Sequence, residues 1–275
     1  MRIFLAALAV LLAAAPAHAD PAGQRLLDER HLSGVVIVAD AHTGAVLLSA
    51  ASGGHTLDEP VLPLSLMKLY LAADYLAHHR DWPAGIDSDT LVARGFDTPG
   101  RALALALRHE RGSLGVRKDM AALGLPPCAD AAATDCLALD LDAPDAEWAD
   151  VFSLGEASVR ETPMHLIAFL RDVARDDSAG ARLLRAAMLG TVETPNGTAH
   201  GLAGSLGEGW RIGGKTGSGP ASDPPLNGCF AGFVQYGIGK PRLLVFAYVY
   251  HGGFGGGAAG HLAADAARRV LDRAR

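Results

Sequence analysis

The chain has 275 residues, 49% of them hydrophobic and 20% charged, which is enough apolar material for a sizeable core and excludes a disordered chain. Its formal net charge is −6 and it carries no basic run, so the electrostatic footprint that a phosphate backbone requires is missing and nucleic acid is not an expected partner. The first twenty residues, MRIFLAALAVLLAAAPAHAD, place a charge at Arg2, an apolar stretch up to Ala15, then Pro16 and the small-residue signature Ala17, His18, Ala19. This is the build of a signal peptide cleaved before Asp20. Residues 1–19 are therefore expected to be removed and residues 20–275 to be periplasmic or secreted. The apolar run is shorter than the roughly 20 residues of a spanning helix, and no cysteine follows to accept a lipid. No stable membrane span is expected after cleavage.

Next in the chain, SGVVIVADAHTGAVLLSA reads as two strands around an Ala-His-Thr-Gly turn, a hairpin. A helix is predicted over residues 65–79. Between residues 81 and 190 helical periods, such as 100–108 and 162–175, alternate with turn clusters; Thr162 and Pro163 are a cap and first-turn pair. Cys128 and Cys136 share the loop PPCADAAATDC, where both a short disulfide and two free thiols are open; Cys229, the odd cysteine, falls in a strand and is expected to be buried. Strands return in GWRIGGKTG, CFAGFVQYGIG and RLLVFAYVY, and a helix over 258–274 closes the chain. The fold class is thus α+β: an antiparallel sheet built from the N- and C-terminal parts, about 20–80 and 191–275, flanked by helices, with a helical subdomain inserted at about 81–190. The glycine-rich HGGFGGGAAGH reads as a loop after a strand, without the arrangement that cradles a dinucleotide.

Two motifs carry chemistry. In LPLSLMK, Ser65 and Lys68 stand three residues apart, so on a helix they share a face within side-chain reach. A serine hydroxyl becomes a nucleophile when a neighbour takes its proton, and an amine does so when an apolar surround lowers its pKa. Leu64, Leu66, Met67 and Leu69 supply that surround, and the helix start offers free N–H groups to an oxyanion. The second motif is Lys215-Thr216-Gly217, followed by Ser218, at the end of a predicted strand. An ammonium and hydroxyls there suit a carboxylate, and glycine lets a substrate backbone approach. Chance alone gives about 0.2 matches to S-x-x-K and roughly 0.02 to K-T-G in a chain of this composition. Two of the four lysines fall in these motifs, which is what makes the pairing informative.

Carrying these motifs, most of the mature chain resembles the transpeptidase domain of penicillin-binding proteins and serine β-lactamases. GVVIVADAHTGAVLLSAAS is similar to that family's opening hairpin, LPLSLMK to its nucleophile segment, and LGEASVRETPMHLIAFL to a helix-opening stretch. NGTAHGLAGSLGEGWRIGGKTGSG, GCFAGFVQY and LLVFAYVY look like its final strands. The resemblance implies Ser65 as acylated nucleophile and Lys68 as its base. It also implies Lys215, Thr216, Gly217 and Ser218 as the substrate edge, with the backbone N–H groups of Ser65 and Ser218 as oxyanion hole. The family's S-x-N motif is expected within 102–124, where none occurs; His109, Glu110 and Ser113 are the polar candidates, with Ser113 the nearest replacement and Gly115 in the asparagine's place.

The implied function is an exported acyl-serine enzyme acting on D-alanyl-D-alanine stem peptides of peptidoglycan, as transpeptidase or carboxypeptidase, with β-lactams as covalent ligands. Two alternatives stand beside it, a β-lactamase of the oxacillin-hydrolysing kind and a wall-peptide-binding pseudoenzyme without turnover. No metal or organic cofactor is expected: His78 and His79 are adjacent, no H-E-x-x-H spacing occurs, and His251 and His261 merely flank the glycine loop. No G-x-S-x-G elbow occurs either, and Trp82, Trp148 and Trp210 are read as packing residues.

Overall fold

The computed structural model describes residues 20–130, 133–155, 159–219 and 225–274; the expected signal peptide, residues 1–19, lies outside them, as do residues 156–158 of LGEASVRETPMHLIAFL. Helix α1 (Pro21–Glu29) is capped by Asp20, whose carboxylate accepts from the N–H of Ala22 at 2.7 Å. The predicted hairpin follows as β1 (Ser33–Asp40) and β2 (Val46–Ser52). A 3-10 turn, Leu64–Leu66, leads into α2 (Met67–His78), so the first residues of the predicted helix form a tighter turn. Then come α3 (Asp97–Ala122), β3 (Cys136–Leu137), α4 (Asp145–Leu154), β4 (Val159–Arg160), α5 (Pro163–Arg175) and α6 (Ala179–Glu193). The chain ends with β5 (Trp210–Gly219), β6 (Asn227–Tyr236), β7 (Pro241–Tyr250) and α7 (Ala258–Arg273).

The five long strands form one antiparallel sheet in the order β2-β1-β7-β6-β5, so the N-terminal hairpin meets the C-terminal strands through β1 and β7, with Ser33 opposite Tyr250 and Asp40 opposite Leu243. Both faces of the sheet are covered, which is why the central strands β1 and β7 read as nearly unbroken apolar runs where a half-solvated sheet would alternate. Val35, Ile37, Ala231, Phe233 and Phe246 face Tyr70, Phe169 and Leu184 of the α2, α5 and α6 layer. Val36, Val38, Phe230, Val245 and Ala247 face Leu26, Leu27, Leu262 and Ala266 of α1 and α7. Within 81–190, α3 packs on α4 and α2, whereas α5 and α6 return to the sheet. No helix among the described residues is long and apolar enough to cross a membrane.

Cys128 and Cys136 are bridged, and Cys229 is free and buried. Next to the bridge, Asp135 accepts from the backbone N–H of Thr162 at 2.6 Å, while Thr162 Oγ1 accepts from His165 N at 3.3 Å to cap α5. The adjoining Glu161 ties this region to the segment before Ser65. Its backbone exchanges hydrogen bonds with Val61 at 2.8 and 3.0 Å, and its wholly buried carboxylate accepts from Tyr70 of α2 at 2.5 Å and from His165 Nδ1 at 2.8 Å. His165 Nε2 faces the Gly124 carbonyl at 2.8 Å, so only the doubly protonated ring donates at both ends.

Burial alone would lower the His165 pKa, but the Glu161 carboxylate, Asp135 and the Gly124 carbonyl outweigh it and raise it above the ordinary 6.5. The stability this cation contributes is therefore complete below pH 6.5 and is lost as pH rises through the raised folded-state value. Urea unfolding midpoints should fall from neutral toward alkaline pH, and His165→Gln should remove about 2 kcal/mol near pH 6 together with much of that pH dependence. Equal pH profiles for the two proteins would contradict the assignment.

Candidate active site

The segment that carries Ser65 is held in an unfavourable shape. Leu64, fully buried, has φ +54°, a left-handed conformation that costs a β-carbon-bearing residue about 1–2 kcal/mol. Two glycines leave room for it. Gly155 ends α4 at φ +63°, and a Cβ there would fall 2.1 Å from the Leu64 carbonyl oxygen. On the other side β5 approaches so closely that a Cβ on Gly217 would lie 2.5 Å from Cys229 Sγ and 3.0 Å from Leu64 Cβ. The glycine expected to admit a substrate backbone thus lies in close contact with the Leu64 turn ahead of Ser65. From this clamped turn Ser65 and Lys68 project together, and Lys68 Nζ lies 2.8 Å from Ser65 Oγ.

Strand β5 is the edge of the sheet, so among the described residues one side of its backbone has no strand partner. Lys215 is 1% exposed; its Nζ donates to the Thr216 carbonyl at 2.6 Å and lies under Gly95, where a Cβ would come within 2.6 Å. The hydroxyls of Thr216 and Thr198 are 2.7 Å apart, and Thr198 donates to the Ala93 carbonyl at 3.1 Å, so Thr216 is the donor of that pair. Ser218 Oγ accepts from the Gly255 N–H at 3.0 Å, which fastens the glycine-rich loop to the strand. Cys229 remains a thiol because burial pushes its pKa up to about 12, against the lowering effect of Lys215.

The third wall corrects the sequence reading. Ser113 stands sixteen residues into α3 from Asp97, about 24 Å along an ideal helix and beyond a kink at Gly112 (φ +70°), so the fold does not bring it to Lys68. His109 is exposed, and Glu110 pairs with His79 at 3.1 Å. The residue that meets Lys68 is Asp97, the first of α3: its Oδ1 is 2.8 Å from Nζ, and its side chain is 46% exposed. Ser153 of α4 also takes part, its carbonyl accepting from Nζ at 2.5 Å and its hydroxyl donating to the Asp97 carbonyl at 3.0 Å. Asp-Thr-Pro is a helix-start signal, and it lies just ahead of the 102–124 window. Nothing local marks Ser153, because its role is set by where α4 packs.

Lys68 is wholly buried, which lowers its pKa below the ordinary 10.5, while hydrogen bonding and charge from Asp97 act in the opposite direction. Lys215 is pulled further, to about 7, by burial and then by the neighbouring Lys68. Elsewhere Asp74, His78 and Asp119 bring ligand atoms within 4.8 Å of one another. The Arg111 guanidinium already lies there, 3.3 Å from Asp74 and 2.7 Å from Asp119, and supplies the positive charge a metal would bring.

No protein-family model and no curated protein sequence matches this chain. Its fold nevertheless recurs among solved structures. The transpeptidase domain of FtsI4 D,D-transpeptidase from Legionella pneumophila superposes with a TM-score of 0.66 at 20% identity, over 94% of this chain and 98% of that one. The corresponding domain of Burkholderia pseudomallei penicillin-binding protein 3 gives 0.66 at 18% identity, over 93% and 95%. PBPA from Mycobacterium tuberculosis gives 0.62 at 16%, over 88% and 74%. The chain therefore has the fold of a penicillin-binding-protein transpeptidase domain, as its motifs led one to expect.

Gly217→Val should push the Leu64 turn off β5 and destabilise the protein by about 1–3 kcal/mol. Thermal unfolding checks this, and an unchanged melting temperature would refute the close approach.

Proposed function

We propose that the protein is an exported acyl-serine enzyme acting on D-alanyl-D-alanine stem peptides of peptidoglycan, as transpeptidase or carboxypeptidase. The observation that carries this reading is the 2.8 Å contact between Lys68 Nζ and Ser65 Oγ, at a turn packed on the edge strand that bears Lys215, Thr216 and Gly217. The fold shared with D,D-transpeptidase domains supports it. Ser65 Oγ attacks the scissile carbonyl carbon as its proton passes to neutral Lys68. The backbone N–H groups of Ser65 and Ser218 hold the oxyanion, and Lys68 returns the proton to the departing amine. Water or an amine then resolves the ester. Lys215 and the hydroxyls of Thr216 and Ser218 form the substrate-carboxylate end, once Thr216 exchanges its Thr198 partner for the ligand. The leader-like residues 1–19 and the Cys128–Cys136 bridge support a periplasmic or secreted location.

A second reading, a wall-peptide binder without turnover, is favoured by the carboxylate of Asp97 in the place where a serine was expected. Incubation with ampicillin followed by intact-mass measurement separates the readings. A lasting adduct on Ser65 is the expected result, release of opened drug indicates a β-lactamase, and no adduct leaves only the binder. Ser65→Ala should abolish labelling, and Lys68→Met should slow it by about a hundredfold or more. Labelling of Ser65→Ala at the wild-type rate would remove Ser65 from the mechanism.

A further inference from the structure

The Lys68 amine has three oxygen neighbours: Ser65 Oγ at 2.8 Å, Asp97 Oδ1 at 2.8 Å and the Ser153 carbonyl at 2.5 Å. An ammonium has three N–H donors and no lone pair, so it satisfies all three and leaves nothing to receive the serine proton. A neutral amine has two N–H donors and one lone pair. Of the three oxygens only Ser65 Oγ carries a hydrogen when Asp97 is ionised, so the neutral amine fits the same positions by donating to Asp97 and Ser153 and accepting from Ser65. One set of heavy atoms thus serves two proton inventories, which differ in the direction of a single hydrogen bond. What biases them is charge, and the carboxylate in contact with Nζ belongs to Asp97.

Resting on the acyl-serine reading above, we propose that Asp97 is a positioning residue that holds the site in its ammonium form, so that acylation waits until Lys68 gives up a proton to the solvent. The steps balance. Lys68–NH3⁺ first releases H⁺ to a buffer base. Ser65 Oγ then forms its bond to the substrate carbonyl carbon while its hydrogen passes to the Lys68 nitrogen and the carbonyl π pair moves onto oxygen. Collapse of the adduct breaks the carbon–nitrogen bond, and the leaving nitrogen takes the proton from Lys68.

Two of the other groups near Nζ oppose Asp97. Lys215 of β5 and Arg101 of α3 are both positive neighbours that disfavour a second cation, and Arg101 is itself paired with Asp150 of α4. Tyr70, on α2 with Lys68, is a buried neutral phenol, and Glu161 behind it is engaged by Tyr70 and His165. Asp97 is also the partly exposed member of its pair, 46% against 0% for Lys68, so its charge stays hydrated while it stabilises the buried cation.

The chain has four lysines, Lys68, Lys118, Lys215 and Lys240, so their side-chain resonances can be assigned one by one after selective ¹³C-lysine labelling. Titration by NMR and the pH dependence of Ser65 labelling by a fluorescent penicillin, in wild type and Asp97→Asn, test the proposal together. Asparagine keeps an oxygen acceptor at the start of α3 and removes the charge; Asp97→Glu keeps the charge. The expected result is a lower Lys68 midpoint in Asp97→Asn and an acid limb of labelling displaced by the same amount, with about tenfold faster labelling on that limb per unit of displacement. Asp97→Glu should titrate as wild type does. An unmoved Lys68 midpoint, or slower labelling by Asp97→Asn at every pH with an unmoved limb, would overturn the proposal. Absence of a Ser65 adduct in any of the proteins despite a shifted midpoint would instead overturn the acyl-serine reading, and the acylation step with it.

Discussion

A primary amine buried at 0% exposure is the constraint on which the site depends. Removing an ammonium from water is unfavourable by several kcal/mol unless each of its protons finds a partner. Lys68 meets that condition through oxygens from three separate parts of the chain: the turn before α2, the first residue of α3 and the end of α4. The amine thus ties those elements to one another, in addition to their apolar packing. The strain of Leu64 belongs to the same arrangement, since the turn is squeezed between Gly155 of α4 and Gly217 of β5.

The sheet contributes an edge and a second amine. Lys215 is buried next to Lys68, and its pKa falls to about 7 first because burial disfavours the ammonium and then because Lys68 is a like charge; burial lowers Lys68 too, against the opposing pull of Asp97. Asp97 is the carboxylate in contact with the Lys68 amine. The hydroxyls of β5 meanwhile have protein partners, Thr216 with Thr198 and Ser218 with Gly255. The hydroxyls of the proposed substrate edge are thus held by hydrogen bonds within the protein.

Behind the site, the buried Glu161 joins three parts of the molecule. Its backbone pairs with Val61 ahead of Ser65, its carboxylate holds Tyr70 one turn or less beyond Lys68, and His165 links it to α5. The disulfide-closed loop leads into Asp135, which holds Thr162. This polar cluster therefore ties α2 and α5 to the segment that precedes Ser65.

The α+β class, the five strands of the main sheet, the α5 cap at Thr162 and the pairing of Ser65 with Lys68 were all legible from the sequence, because each follows from spacing or from apolar runs a few residues long. The Lys215-Thr216-Gly217 strand was legible for the same reason. Asp97 was not, although Asp-Thr-Pro is a readable helix start, because its role comes from the partner it meets across the fold and Ser113 offered a closer chemical match to the expected motif. Ser153, Glu161 and His165 left no local signal as parts of one hydrogen-bonded frame. Local order is written in neighbouring residues, whereas burial brings together groups distant in the chain and thereby decides which carboxylate faces which amine.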